Sequence, residues 1–337
     1  MNISRNTSLK SYNTFGIDVN AKQFVSINTI DELRQLLKQN YSGDLFIIGG
    51  GSNMLLTKDI DATVTHINIL GKRILRETKN SVFVEALAGE NWHQFVLWTL
   101  ENNWGGLENL SLIPGNIGTA PIQNIGAYGV ELKDTFVSCD AIDIQTLESV
   151  SFTAEECEFG YRNSIFKNKV KGKYIITGVT FKLKKKNHDI QTNYGAIDAF
   201  LKHSGISDPT IQDVSTAIIK IRQQKLPDPR VLGNSGSFFK NPVITTEKLA
   251  PLLIEYPEIP YYKVSENEVK IPAGWLIDQA GLKGYREGDA GVHKNQALVL
   301  VNYGNASGKE ILLLAKKVQR KIKEQFNLDL EPEVNIF

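Results

Sequence analysis

Gly49-Gly50-Gly51-Ser52-Asn53 follows the short apolar run 45–48, and three consecutive glycines let backbone amides approach and wrap an anion. The segment is a candidate phosphate cradle, with a plain flexible turn as the alternative. It is not GxGxxG, because Met54 stands where the last glycine would fall, and it lacks the Gly-Lys-Ser/Thr ending of a P-loop. A second stretch, 113–129, mixes small, apolar and amide residues. Gly115, Gly118 and Ala127 permit close backbone approach to a flat ring, and Thr119, Gln123 and Asn124 offer hydrogen bonds to ring heteroatoms or phosphate. Showing neither helical nor strand period, it reads as a binding loop rather than a connector.

Three further positions carry chemistry in unusual settings. Arg162, in Phe159-Gly160-Tyr161-Arg162, is either a bidentate carboxylate holder or one half of a surface salt bridge. Ser237 lies in Gly233-Asn234-Ser235-Gly236-Ser237-Phe238-Phe239, where glycines free the backbone and two phenylalanines shield a hydroxyl from water. With no GxSxG elbow and no His-Asp partner set, a hydrolytic nucleophile is not indicated, whereas a serine proton donor remains open. Glu333 falls four residues before the last residue given, where tails usually fray, but the apolar ending Val334, Ile336 and Phe337 argues that it packs. The histidines (His66, His93, His188, His203, His293) form no HExxH spacing, so no catalytic metal is expected.

The elements that must hold these groups are mixed. Leu33, Leu36 and Leu37 mark a helix over 31–40, and Trp92, Phe95, Val96 and Leu100 mark a second. Strand-like alternation occupies 81–86, 136–144 and 174–183. Val214, Ala217, Ile218 and Ile221 mark an amphipathic helix, and Ser307 with Glu310 forms a capping-box pattern opening the last one, over 310–326. An α+β fold follows, with the main boundary placed in the polar, Gly- and Pro-containing segment 202–213 and a turn-rich segment over 225–242. At 337 residues, 42% hydrophobic, the chain needs more than one ordinary domain. Lys plus Arg (38) balance Asp plus Glu (37), which excludes the basic excess of a nucleic-acid binder. Two cysteines without a CxxC pair, no apolar leader and no membrane-length apolar stretch point to a reducing, cytoplasmic setting without membrane insertion.

Together these segments resemble the UDP-N-acetylenolpyruvoylglucosamine reductase family. The resemblance covers nearly the whole chain, in ordered blocks at Asn13-Thr14-Phe15-Gly16, 49–55, 113–129, 159–162, 225–229, 233–242, 273–278, 293–300 and 330–334. It implies a vanillyl-alcohol-oxidase-type FAD-binding region of two α+β subdomains over 1–205, with a break near 70–80. A smaller α+β substrate domain over 206–337 would follow, its last segment returning to the active site. It also implies bound FAD, NADPH as co-substrate, and reduction of UDP-N-acetylglucosamine enolpyruvate to UDP-N-acetylmuramate in peptidoglycan precursor synthesis. Flavin N5 would deliver hydride to C3 and Ser237 a proton to C2.

Residue by residue, the resemblance makes Arg162, Ser237 and Glu333 catalytic. It assigns Gly49, Gly50, Gly51, Ser52, Asn53, Gly115, Gly118, Thr119, Gln123, Asn124 and Ala127 to FAD, and Tyr128, Tyr161, Tyr194, Lys225, Asn241 and Gln296 to substrate. Tyr194 matches the tyrosine of a substrate-covering loop found in one of the two family types. An oxidase of the same fold, or a non-catalytic nucleotide-sugar sensor, are the rival readings.

Overall fold

A computed structural model describes residues 2–39 and 44–337. The chain forms two compact units. The first comprises Met1–Thr7, Ala21–Gly50 and Ile60–Arg222; the second comprises Ser8–Asn20, Gly51–Asp59 and Gln223–Phe337.

The first unit contains two sheets. One is four-stranded, in the order Ile3–Ser8, Asn20–Ile27, Ile60–Ile67, Leu45–Ile48, its last three strands running parallel. Helix α1 (Ile30–Lys38) covers it with Leu33 and Leu36, both buried. Thr29 Oγ1 caps α1 by accepting the Glu32 N–H (3.1 Å), one of the donors left unpaired at a helix start. The expected helix ran to Asn40, which lies outside the described residues.

The second sheet is five-stranded and antiparallel, ordered Ser149–Thr153, Phe136–Asp143, Tyr174–Lys184, Ser81–Leu87, Lys72–Glu77. The strand Tyr174–Lys184 is buried on both faces over most of its length, where its sequence suggested one wet face. Ile175 joins the core under α1, whereas Ile176, Val179 and Phe181 meet α2 (Trp92–Glu101). Trp92 and Phe95 pack on Phe181 at centroid distances of 6.0 and 5.1 Å. Burying each such ring contributes about 2–3 kcal/mol, so this cluster anchors the loops that leave α2.

Helix α3 (Gly195–His203) and helix α4 (Ile211–Lys225) complete the unit. Val214, Ala217, Ile218 and Ile221 of α4 bury against Ile197 and Leu201 of α3. This face explains why the two units divide at Arg222 and not within 202–213. The polar connector is a short link between helices that share a core, and the chain leaves the unit only past the last apolar turn of α4.

In the second unit the strands Gly233–Ser237, Val299–Asn302, Ala290–Val292 and Arg286–Glu287 form one sheet in that order. A smaller one joins Val243–Thr245, Glu268–Lys270 and Tyr262–Lys263. Helices α5 (Thr246–Glu255), α6 (Ala273–Gln279) and α7 (Gly308–Phe326) surround them. The capping box expected at Ser307 is present: Ser307 Oγ accepts from Glu310 N–H (3.3 Å), and the Glu310 carboxylate accepts from Ser307 N–H (2.7 Å). Ile311, Leu314, Val318, Ile322 and Phe326 form the buried face of α7.

Candidate active site

The glycine turn begins where the parallel strand Leu45–Ile48 ends. A Cβ at Gly49 would lie 2.8 Å from Thr119 Cγ2, and one at Gly50 would lie 2.7 Å from Asn116 Oδ1 and 3.1 Å from Gly115 Cα. The turn and the long loop expected to hold the same ligand are therefore in backbone contact, which only glycine permits. Among the described residues, the N–H groups of Gly50, Gly51 and Ser52 find no acceptor. Gly51 is left-handed (φ 60°). Free, consecutive amides with one left-handed member are the geometry of an anion nest, and they fit a cofactor diphosphate.

The loop 113–129 is ordered by short 3-10 turns at Ile117–Thr119 and Pro121–Gln123 and by the strand Gly126–Ala127. Gly118 packs on Ala88, where a Cβ would come within 2.6 Å of the alanine Cβ. Asn124 departs from its expected ligand role. Its side chain is wholly buried, donating to Glu131 Oε2 (3.0 Å) and the Gly160 C=O (3.1 Å) and accepting from Lys133 N–H (3.1 Å). With both amide protons engaged inside the unit, it fixes the loop against the segment carrying Arg162 rather than offering a hydrogen bond outward.

Arg162 is itself left-handed (φ 53°), and its guanidinium donates to the Gly126 C=O (2.7 Å). A Cβ at Gly126 would sit 3.0 Å from that guanidinium, so the glycine makes room for the arginine. The Tyr161 ring lies 5.4 Å from the guanidinium carbon and is 45% exposed.

Tyr128, which the sequence named, lies near Arg222, as does His93, and the sequence reading missed both His93 and Arg222. Tyr128 (φ 50°) carries the Tyr194 ring edge-on at 5.3 Å, while Tyr194 is 54% exposed. The Tyr128 hydroxyl lies near the Arg222 charge, and burial pushes its pKa up. Arg222 Nε is buried without an acceptor among the described residues, and burial holds the guanidinium below its ordinary pKa. His93 Nδ1 accepts the Leu112 N–H (3.0 Å); burial, reinforced by the Arg222 charge, lowers its pKa and keeps it neutral. An arginine closing an amphipathic helix looks like a solvated helix end in sequence, so only its shielded Nε, without an acceptor among the described residues, reveals it.

In the second unit, Ser237 ends the strand Gly233–Ser237 at an irregularity: Asn234 pairs with Val301 but Ser237 with Val299. That bulge, with Gly236 left-handed (φ 71°), re-aims the serine out of the ladder's regular alternation. Phe238 and Phe239 are buried behind it, and among the described residues its half-buried hydroxyl makes no hydrogen bond.

The tail lies alongside. Glu333 N–H donates to the Phe238 C=O (2.8 Å), Lys240 N–H donates to the Glu331 C=O (2.9 Å), and Phe239 bridges to Pro332. The structure thus brings Ser237 and Glu333 onto adjacent segments of one unit. Asn241 Oδ1 accepts from Ala273 N–H (2.9 Å) at the start of α6, and Gln296 Oε1 is the neighbour that a Cβ on Gly274 would meet at 3.2 Å. Both flank that helix start, whereas Lys225 stands exposed at the end of α4. No group of metal-ligating side chains exists among the described residues, and no helix is long and apolar enough to cross a membrane.

The α+β architecture, with an anion nest after a parallel strand, is that of a flavin-binding protein, and residues 21–146 match the family described as FAD binding domain. Residues 228–337 match UDP-N-acetylenolpyruvoylglucosamine reductase, C-terminal domain. The chain is 61% identical over 336 residues to the UDP-N-acetylenolpyruvoylglucosamine reductase of Flavobacterium johnsoniae, covering 100% of both chains. It is 50% identical to that of Chromobacterium violaceum, covering 96% of each. The crystal structure of the Thermus caldophilus enzyme superposes with a TM-score of 0.68 at 24% identity, over 100% of this chain and 99% of that one. The chain belongs to the UDP-N-acetylenolpyruvoylglucosamine reductase family and is an FAD-dependent oxidoreductase.

Proposed function

We propose that this protein reduces the enolpyruvyl ether of UDP-N-acetylglucosamine enolpyruvate to UDP-N-acetylmuramate, with NADPH as electron donor, in the cytoplasm. FAD, when bound, supplies hydride chemistry that no side chain can. The free amides of Gly50, Gly51 and Ser52 would hold its diphosphate, and Gly115, Gly118, Thr119, Gln123 and Ala127 its neighbouring surface. Arg222, whose Nε is buried with no acceptor among the described residues, gains most from an anionic group of cofactor or substrate beside it.

As C3 of the substrate becomes saturated, negative charge develops on C2 and its carboxylate. The Arg162 guanidinium, fixed on Gly126, is a preorganised donor for that charge, and Glu333 is the further catalytic group of the same step. Ser237 Oγ then gives its proton to C2, a step that demands placement more than a shifted pKa. Tyr161, Lys225, Asn241 and Gln296 would bind the nucleotide sugar, with Tyr194 closing over it from its seat on Tyr128.

The observation that supports the reading is the hydrogen bond from Glu333 N–H to the Phe238 C=O, which ties the backbone of Glu333 to the segment that follows Ser237. The test is anaerobic. Protein reduced with NADPH is mixed with the UDP-sugar, and rapid flavin reoxidation is expected; reoxidation by oxygen alone would point instead to an oxidase.

A further inference from the structure

Glu333 is placed by its backbone, and the side chain on its far flank is Asn53. While its N–H reaches Phe238, its C=O accepts from Asn53 Nδ2 (3.3 Å). Asn53 returns the tie through its own C=O, which accepts both the backbone N–H (3.2 Å) and the side-chain amide (2.9 Å) of Asn335. Beyond this point Asn335–Ile336 runs parallel to Met54–Leu55, and the Phe337 C=O accepts from Thr57 N–H (2.8 Å).

So short a strand pair is weak by itself, and terminal segments fray unless tied down. The peptide of Glu333 is therefore strung between the residue after Ser237 and the last residue of the glycine turn. The opposite side of the turn is fixed as well. Gly51 C=O accepts Thr14 N–H (3.1 Å), Thr14 C=O accepts Asn234 N–H (2.9 Å), and Ser235 Oγ donates to Met54 C=O (3.2 Å). The block Asn13-Thr14-Phe15-Gly16, which carried no role in the sequence, is the spacer between the turn and the serine strand.

We propose that Asn53 is a positioning residue for Glu333, holding the tail so that the carboxylate stays level with Ser237. The proposal rests on the catalytic role of Glu333 given above and differs from the expectation that Asn53 serves FAD.

The test uses the holoenzyme with Asn53→Ala and Asn53→Asp, each alone and combined with Glu333→Gln. Flavin content, reduction by NADPH, reoxidation by the UDP-sugar and hydrogen exchange of the peptide spanning 330–337 are measured. Asn53→Ala is expected to keep its flavin and to be reduced by NADPH within about two-fold of the parent. Loss of one hydrogen bond should slow reoxidation by about five- to ten-fold and speed exchange in the tail to a similar degree. Asn53→Asp, which opposes an acceptor to the Glu333 C=O, should be slower still.

In the Glu333→Gln background the Asn53→Ala penalty on reoxidation should fall below about two-fold, because the carboxylate being positioned is gone. Loss of flavin from Asn53→Ala, an undiminished penalty in that background, or unchanged tail exchange would each overturn the proposal. Faster tail exchange in a protein whose parent is not reoxidised by the UDP-sugar would support the tie and sink the proposed function instead.

Discussion

Alanine at Gly51 tests how the glycine turn is built. The residue is left-handed (φ 60°), where a Cβ costs about 1–2 kcal/mol in any context. Here that Cβ would also lie 2.0 Å from the Tyr12 carbonyl oxygen and 2.9 Å from Asn13 Cα, far inside contact distance. The 12–14 backbone can retreat only by giving up the bond from Thr14 N–H to the Gly51 C=O (3.1 Å), at a further cost of about 1 kcal/mol. The sum is about 2–3 kcal/mol, and at about 2–4 °C per kcal/mol the apoprotein should melt about 4–12 °C lower. Gly50→Ala is the control. Its φ is not left-handed and its clash is with Asn116 Oδ1 and Gly115 Cα, so it should displace the cofactor loop, melt within about 2 °C of the parent as apoprotein and bind FAD at least about ten-fold more weakly. Differential scanning fluorimetry and flavin titration separate the two. A Gly51→Ala protein that melts with the parent, or a Gly50→Ala protein that holds FAD with parental affinity, would refute the reasoning.

Ser237→Ala should keep its flavin and its reduction by NADPH while reoxidation by the UDP-sugar falls by about two to three decades, the scale of a lost general acid; equal loss in both half-reactions, read by stopped-flow absorbance, would remove the proton-donor role. Deleting residues 333–337 should abolish sugar reduction and leave FAD bound. Glu333→Gln, which keeps the volume, should also slow reoxidation severely, and its turning over normally would make the tail structural only. Burial raises the pKa of Glu108, opposed by the hydrogen bond from Gly106 N–H. The folded state then holds the proton more tightly than the unfolded chain, so this group lowers stability as pH rises from the ordinary carboxylate range to the raised value. Glu108→Gln should therefore gain most in Tm at neutral pH and lose that advantage as pH falls into the ordinary carboxylate range, whereas a pH-independent difference would contradict the assignment.

The sequence by itself determined whatever depends on local chemistry. The 3.6-residue period of Leu33 and Leu36, the Ser307–Glu310 capping box and the three-glycine run each dictate a local backbone, and the structure has all three. The ordered blocks also identified the family, because many short motifs in one order constrain more than any single motif. Tertiary structure decided the rest. Gly233–Ser237 is a strand although Gly-Asn-Ser-Gly-Ser has no strand propensity, because Val299–Asn302 supplies the ladder and Phe238 the burial. The division at Arg222 follows from α4 sharing a core with α3, a contact that polar composition over 202–213 could not foretell. Asn124 turned inward and Arg222 emerged as a half-buried cation with a shielded Nε for the same physical reason: a polar side chain's role is set by which partners surround it after folding. Those partners are distant in sequence, as Asn53 is from Glu333, and only the packed chain brings them within hydrogen-bond reach.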